Sequence, residues 1–308
     1  MFKNAGIIFA AAIFIAGCST SKPPEKVIEP VESKNVSPEL NWTNPQAQKT
    51  FTSVPKNPSP MKTNSQMAAP VTTWTSLAQW AAEHKLKAPH RLKDLSETAF
   101  VIDSPNGAMV LGIGSREVTW NGINLNLGFA PQLIDNEIFL HGADLQKHLE
   151  PLLCEPLLAL PQTKRVIVID PGHGGHNSGT VSVLDGRMEK EFTLDTALRL
   201  KPLLETNGWT VFLTRTNDVD FVNSNRVTFA DAHHADLFIS LHFNATGDRS
   251  QNTSGIETYS FTPFGMPSTL TRNYADPWYA NFPANDFDAQ NLQLAMQLHN
   301  ALIRATGL

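Results

Sequence analysis

The feature that most constrains this chain is a β-branched apolar run that breaks at once into a glycine-rich loop. Val166-Ile167-Val168-Ile169 is followed directly by Asp170-Pro171-Gly172-His173-Gly174-Gly175. A run of Val and Ile that is apolar at every position suits a strand covered on both faces, as in a parallel sheet. A second apolar run, Leu237-Phe238-Ile239-Ser240-Leu241, breaks into His242-Phe243-Asn244. Between them lies an acidic helix start, Glu189-Lys190-Glu191-Phe192. Two histidines just past the ends of buried strands, with a carboxylate at the start of a helix, point to one metal site.

The pattern around these runs alternates. Residues 190–206 read as a helix with Leu194, Ala197, Leu198 and Leu204 on one face, Pro202 inside it and Gly208 at its end. Proline there removes a backbone hydrogen bond, so a kink or a fresh last turn is expected. Residues 210–214 form the next strand, and Asn223 or Ser224 caps a helix through His233. Strands follow at 236–241 and 255–261. A last helix, about 285–306, carries Phe287, Leu294, Leu298, Ala301, Leu302 and Ala305 on one side. Such alternation predicts an α/β domain: an open, twisted, mostly parallel sheet with helices on both faces.

Ligands in such sheets bind beyond the carboxyl ends of the strands, where His173 and His242 both fall. Two histidines and a glutamate leave zinc a fourth position for water, as a hydrolase needs. Asp170 is placed to support the site by accepting from a backbone or imidazole N–H. Each motif alone is weak. In order, they are IDPGHGG, Arg187-Met188-Glu189-Lys190-Glu191-Phe192, Leu213-Thr214-Arg215 and Asn225-Arg226-Val227. Then come 235–245, around His242, and Gly255-Ile256-Glu257-Thr258-Tyr259. Together they resemble the zinc-dependent N-acetylmuramoyl-L-alanine amidases of the amidase_3 family, over 165–308.

The resemblance implies Zn2+ held by His173, Glu189 and His242, and peptidoglycan as substrate. It makes Glu191 a non-ligand acid and gives Glu257 a structural or substrate-lining role. His176, His233 and His234 match no ligand of the family. The family's catalytic glutamate lies on a strand after the long last helix, whereas this sequence stops at Leu308. The resemblance therefore implies a domain truncated before its last strand, with an edge or gap in the sheet. A second reading from a different class follows: a catalytically inactive peptidoglycan-binding or regulatory lipoprotein that keeps the fold. A third is a zinc peptidase or deacetylase on a similar sheet.

Upstream, the composition changes twice. Residues 73–155 read as a small β-rich module. Trp74, Leu77, Ala78, Ala81 and Ala82 recur at helical spacing, short strands follow, and Asn121-Gly122 marks a two-residue hairpin. The module loosely resembles the copper-amine-oxidase-like N-terminal type, which implies no copper. His141 and His148 read as surface residues, and Cys154 as a buried small hydrophobe. Residues 19–72 hold nine of the 21 prolines among mostly polar residues, the composition of a disordered, extended tether.

Residues 1–18 have the form of an export signal: Lys3, an uncharged apolar stretch at 6–16, then Ile15-Ala16-Gly17-Cys18. The stretch is shorter than the ~20 residues a spanning helix needs. It resembles a bacterial lipoprotein signal, which implies lipid attachment at Cys18. With Ser19 following, the resemblance implies an anchor in the outer membrane, facing the periplasm. A formal net charge of -5 argues against a nucleic-acid binder. In the 261–282 stretch, Tyr274, Trp278 and Tyr279 are candidates to stack on sugar rings or to pack a loop onto the domain.

Overall fold

A computed structural model describes residues 8–16, 72–92, 98–160, 165–182, 185–244, 255–269 and 281–307. Most of the tether, Cys18, Tyr274, Trp278 and Tyr279 lie outside them. The strands run β1 (Ile8–Ala16), β2 (Trp74–Ser76), β3 (His90–Arg91), β4 (Ala99–Ser104), β5 (Gly107–Gly112), β6 (Glu117–Trp120) and β7 (Ile123–Asn126). They continue as β8 (Gln132–Ile134), β9 (Glu137–His141), β10 (Arg165–Pro171), β11 (Trp209–Leu213), β12 (Leu237–His242) and β13 (Gly255–Tyr259). The helices are α1 (Leu77–Glu83), α2 (Gly142–Asp144), α3 (Glu189–Thr206), α4 (Asn223–Ala232) and α5 (Asp288–Thr306). A π-helical segment, Leu145–Cys154, continues α2.

The C-terminal domain is the predicted α/β sheet, in the order β11-β10-β12-β1-β13. β11, β10, β12 and β1 are parallel, and β13 is antiparallel to β1. Alternation along β10 sorts its side chains between two cores. Ile167 and Ile169 face α3 and α5, with Ala197 and Leu294, whereas Val168 faces α4, with Ala230 and Phe238. Helices therefore cover both faces.

The details depart from the sequence reading in several places. α3 is one helix through Pro202. Its core face holds Thr193 and Ala197, with Leu200 and Leu204 packed against the sheet, while Leu198 is exposed. Neither Asn223 nor Ser224 caps α4: Val222 stands at the cap and offers no side-chain bond. The apolar run at 8–16, read as part of an export signal, is here strand β1, inserted between β12 and β13 where a gap was expected.

The 73–155 module is an antiparallel meander, β3-β4-β5-β6-β7, beside a three-stranded sheet, β2-β9-β8. Asn121 and Gly122 both take positive φ, as the predicted hairpin turn requires. His141 and His148 are not on the surface. The buried Asp144 carboxylate accepts from Gly128 N–H (2.7 Å), Phe129 N–H (2.9 Å) and His148 Nδ1–H (2.9 Å). That network gives His148 a polar partner inside the core, and His141 packs on the Phe129 ring. Cys154 is half-buried, and burial together with Glu150 and Glu155 pushes its thiol up to about 11.

The module and the α/β domain share α5. Residues 291–296 are all buried. Leu292 and Met296 complete the module core, while Leu294 completes a core of the sheet. Gln293 Nε2 donates to the carbonyls of Pro151 (2.7 Å) and Pro156 (3.1 Å), and Lys147 pairs with buried Asp288 at 3.2 Å. A helix wrapped on all sides reads as apolar all round. Here the polar members, Asn291 and Gln293, bond to backbone carbonyls. Ala301 and Ala305, expected on the apolar side, are exposed on the last turns.

Leu292→Ala should cost about 2–5 kcal/mol. Followed by near-ultraviolet dichroism and fluorescence in denaturant, it should lower the unfolding of the module and of the α/β domain together. Two separate transitions, only one of them shifted, would show that the cores fold independently.

Candidate metal centre

Three elements bring the ligand candidates together. β10 delivers His173, β12 ends on His242, and α3 begins with Glu189. His173 Nε2 lies 3.0 Å from Glu189 Oε1, which lies 3.0 Å from His242 Nδ1. The two imidazole nitrogens are 3.1 Å apart. Among the described residues this is the group of His, Cys, Asp and Glu that can hold a metal ion.

The donor set fits zinc. Tetrahedral ligands about 2.0–2.1 Å from zinc stand roughly 3.3 Å from each other. The three atoms need to open only by a few tenths of an ångström. They form one face of such a tetrahedron, which leaves a fourth position. Nitrogen, nitrogen and oxygen donors suit zinc's borderline softness.

His173 and Glu189 are each held by further partners. His173 Nδ1 stands 2.9 Å from Asn177 Oδ1, which is also 3.1 Å from Gly179 N–H. The amide oxygen can only accept, so Nδ1 carries the proton and Nε2 keeps its lone pair for a metal. Glu189 Oε2 accepts from Thr180 N–H (2.9 Å) and Thr180 Oγ1 (3.2 Å), and Oε1 accepts from Phe243 N–H (2.8 Å). Burial opposes the charge on Glu189. The interactions with the two imidazoles and the hydrogen bonds from Thr180 and Phe243 outweigh it and hold the carboxyl well below the usual carboxylate range. The hydrogen bond to Glu189 conversely raises His173, against burial.

The backbone is shaped for this arrangement. His173 takes φ 62°, followed by Gly174 and Gly175, also at positive φ. For a residue with a side chain that region costs about 1–2 kcal/mol. Gly172 and Gly179 are needed because their neighbours are the ligands themselves. A Cβ at Gly172 would lie 2.3 Å from His242 Cε1, and one at Gly179 would lie 2.5 Å from Glu189 Oε2.

Asp170 sits elsewhere than expected. It touches neither imidazole. Its buried carboxylate accepts from Thr214 Oγ1 (2.5 Å), Ser240 Oγ (2.7 Å) and the guanidinium of Arg226. Glu191, the competing carboxylate, is exposed and caps α3 by accepting from Met188 N–H (3.2 Å). Exposed His176 pairs with Asp220, while His233 stacks between Phe212 and Phe229. Glu257 accepts from Asn244 Nδ2 (2.8 Å). None of these belongs to the His173–Glu189–His242 group. The sequence reading gave no role to Asn177, Thr180, Arg215 or Arg226. Arg215 and Arg226 stood inside quoted motifs, whereas Asn177 and Thr180 carry no signal until the loop is folded over Glu189.

A cavity of about 640 Å3 opens beside the ligands, lined by His173, Asn177, Phe221, Asn223, Phe238 and His242 among others. That volume is in the range of small-molecule sites.

Residues 167–308 match the Amidase_3 family, described as N-acetylmuramoyl-L-alanine amidase. The chain is 40% identical over 104 residues to the N-acetylmuramoyl-L-alanine amidase LytC of Bacillus subtilis, covering 34% of this chain and 20% of that one. It is 36% identical over 135 residues to the N-acetylmuramoyl-L-alanine amidase AmiC of Escherichia coli, covering 43% of this chain and 32% of that one. The solved catalytic domain of the amidase CwlV from Bacillus (Paenibacillus) polymyxa is 36% identical, over 28% of this chain and 49% of that one, with a TM-score of 0.28. The chain thus spans less than half the length of these relatives.

Gly172→Ala should displace His242 by roughly 1 Å, the shortfall from ordinary carbon–carbon contact. Zinc content after dialysis should fall well below one per chain, with little change in far-ultraviolet dichroism. Full zinc occupancy would contradict this packing.

Proposed function

We propose that this protein is a zinc-dependent peptidoglycan amidase that hydrolyses the amide between N-acetylmuramic acid and the L-alanine of the stem peptide, in cell-wall turnover or cell separation. One observation carries the reading: His173 Nε2, Glu189 Oε1 and His242 Nδ1 converge within 3.1 Å at the carboxyl end of the sheet of an Amidase_3 domain.

His173, Glu189 and His242 would hold zinc, which would supply a Lewis acid for the scissile carbonyl and lower the pKa of water toward about 7. The protein's part is preparation. Asn177 keeps the Nδ1 proton of His173 turned away from the centre. Thr180 and Phe243 N–H keep Glu189 ionised and oriented. Phe221 and Phe238 supply apolar wall beside the ligands, which favours an organic substrate in the cavity. The proton that must reach the leaving amine calls for a general acid–base group. In the family that role belongs to a glutamate on a strand that follows the last helix.

Digestion of purified murein sacculi by the full chain, with product analysis, tests this. The expected products are free stem peptides with new L-alanine amino termini and uncut glycan strands. His173→Ala should lower the rate by more than the roughly 10–100-fold that loss of an outer-shell partner costs, and chelation should abolish it until zinc is restored. Binding to sacculi with no new amino termini would instead favour a wall-binding protein.

The amino-terminal pattern supports a second part of the proposal. Ile15-Ala16-Gly17-Cys18 suits cleavage before Cys18 and lipid attachment there, giving an exported protein tethered to the outer membrane and facing the periplasm. Cleavage at that point would remove β1 from the sheet, so the strand pairing of Ile8–Ala16 belongs to the uncleaved chain. Cells fed radiolabelled palmitate should label the wild type and not Cys18→Ser. Equal labelling of both would refute the anchor.

A further inference from the structure

Two buried arginines outside the ligand set converge on the loop that presents His173. Arg215 follows β11 and Arg226 lies in α4. They are only 3% and 8% exposed, respectively. Arg226 donates from Nη1 to the Pro171 carbonyl (3.0 Å) and from Nη2 to the His173 carbonyl (3.0 Å). Arg215 donates from Nε to the Pro171 carbonyl (3.0 Å) and from Nη2 to the Gly172 carbonyl (2.9 Å). Every carbonyl of the three-residue approach to the metal centre therefore accepts from a guanidinium.

Arg215 reaches further. Its Nη2 also lies 2.8 Å from the Lys190 carbonyl and 3.0 Å from Thr193 Oγ1, both in α3. Thr193 Oγ1 in turn donates to the Gly172 carbonyl (2.8 Å). One side chain thus fixes the His173 loop against the helix turn that begins with Glu189. The two positive groups are held close together. The Asp170 carboxylate, bonded to Arg226, supplies the opposing charge.

We infer that Arg215 and Arg226 are positioning residues for the metal centre: together they clamp the 171–173 carbonyls, hold His173 in its left-handed conformation, and so preset the spacing of the three ligands. The inference rests on the metal-centre reading above. Arginine is required because a planar guanidinium donates to several carbonyls in fixed directions, whereas a lysine ammonium keeps the charge and loses the fork. A loop held in an uncommon backbone conformation returns to commoner ones when its restraints go. Metal binding must then reorder it.

The experiment compares the full chain with Arg215→Lys, Arg226→Lys and the milder Thr193→Val. Zn2+ affinity is measured by competition with a chromophoric chelator, and the metal-free unfolding midpoint is measured alongside. Each Lys variant should bind zinc roughly 10–100-fold more weakly while its metal-free form is still fully folded at the assay temperature. Thr193→Val, which removes one Arg215 acceptor and the bond to Gly172, should weaken binding several-fold. Affinity within twofold of wild type in a folded Lys variant overturns the clamp. Should the Lys variants not fold, unchanged affinity in Thr193→Val overturns it equally. A wild-type chain that takes up no zinc overturns the metal-centre reading instead, and is recognised because the parent itself fails.

Discussion

A single buried carboxylate ties the architecture of the site together. Asp170, at the end of β10, bonds Thr214 beyond β11, Ser240 on β12 and Arg226 on α4. Three neighbouring strands and a helix thus meet at one residue. A charge buried this deeply is tolerated only when paired and fully hydrogen-bonded. Its removal would leave Arg226 uncompensated beside Arg215, whose guanidinium burial and Arg226 already disfavour. The ligand loop hangs from those two arginines, so the geometry of the centre traces back to this carboxylate.

The parts of the fold that were legible in the sequence are those written in local periodicity. The apolar runs gave β10 and β12 because each is covered on both faces. The candidate ligands could be picked out because strand ends are where loops begin, and His173 and His242 lie at or just past them. The role of Asp170 was not legible, because its partners lie 44, 56 and 70 residues away. His141 and His148 looked like surface residues because histidine usually keeps one polar end in water. Only the folded module shows that Asp144 and the Phe129 ring provide for them inside.

Two further differences have a common cause. A short apolar run without charge satisfies both an export signal and a strand between two others in a sheet, so composition alone left β1 unassigned to the fold. In α5, the polar residues Asn291 and Gln293 interrupted the expected stripe and made a two-sided helix look one-sided. Both residues serve backbone carbonyls, which hydropathy cannot register.

The placement of α5 sets where this molecule can be divided. Leu292 and Met296 belong to one core and Leu294 to the other, on opposite sides of the same two turns. The two regions are distinct as stretches of sequence, yet no cut in the chain gives each of them a complete interior. The module borrows its closing wall from the last helix, more than 130 residues downstream. The seam between them is therefore one of sequence and not of assembly. The module can be exchanged for another only if α5 is recut with it.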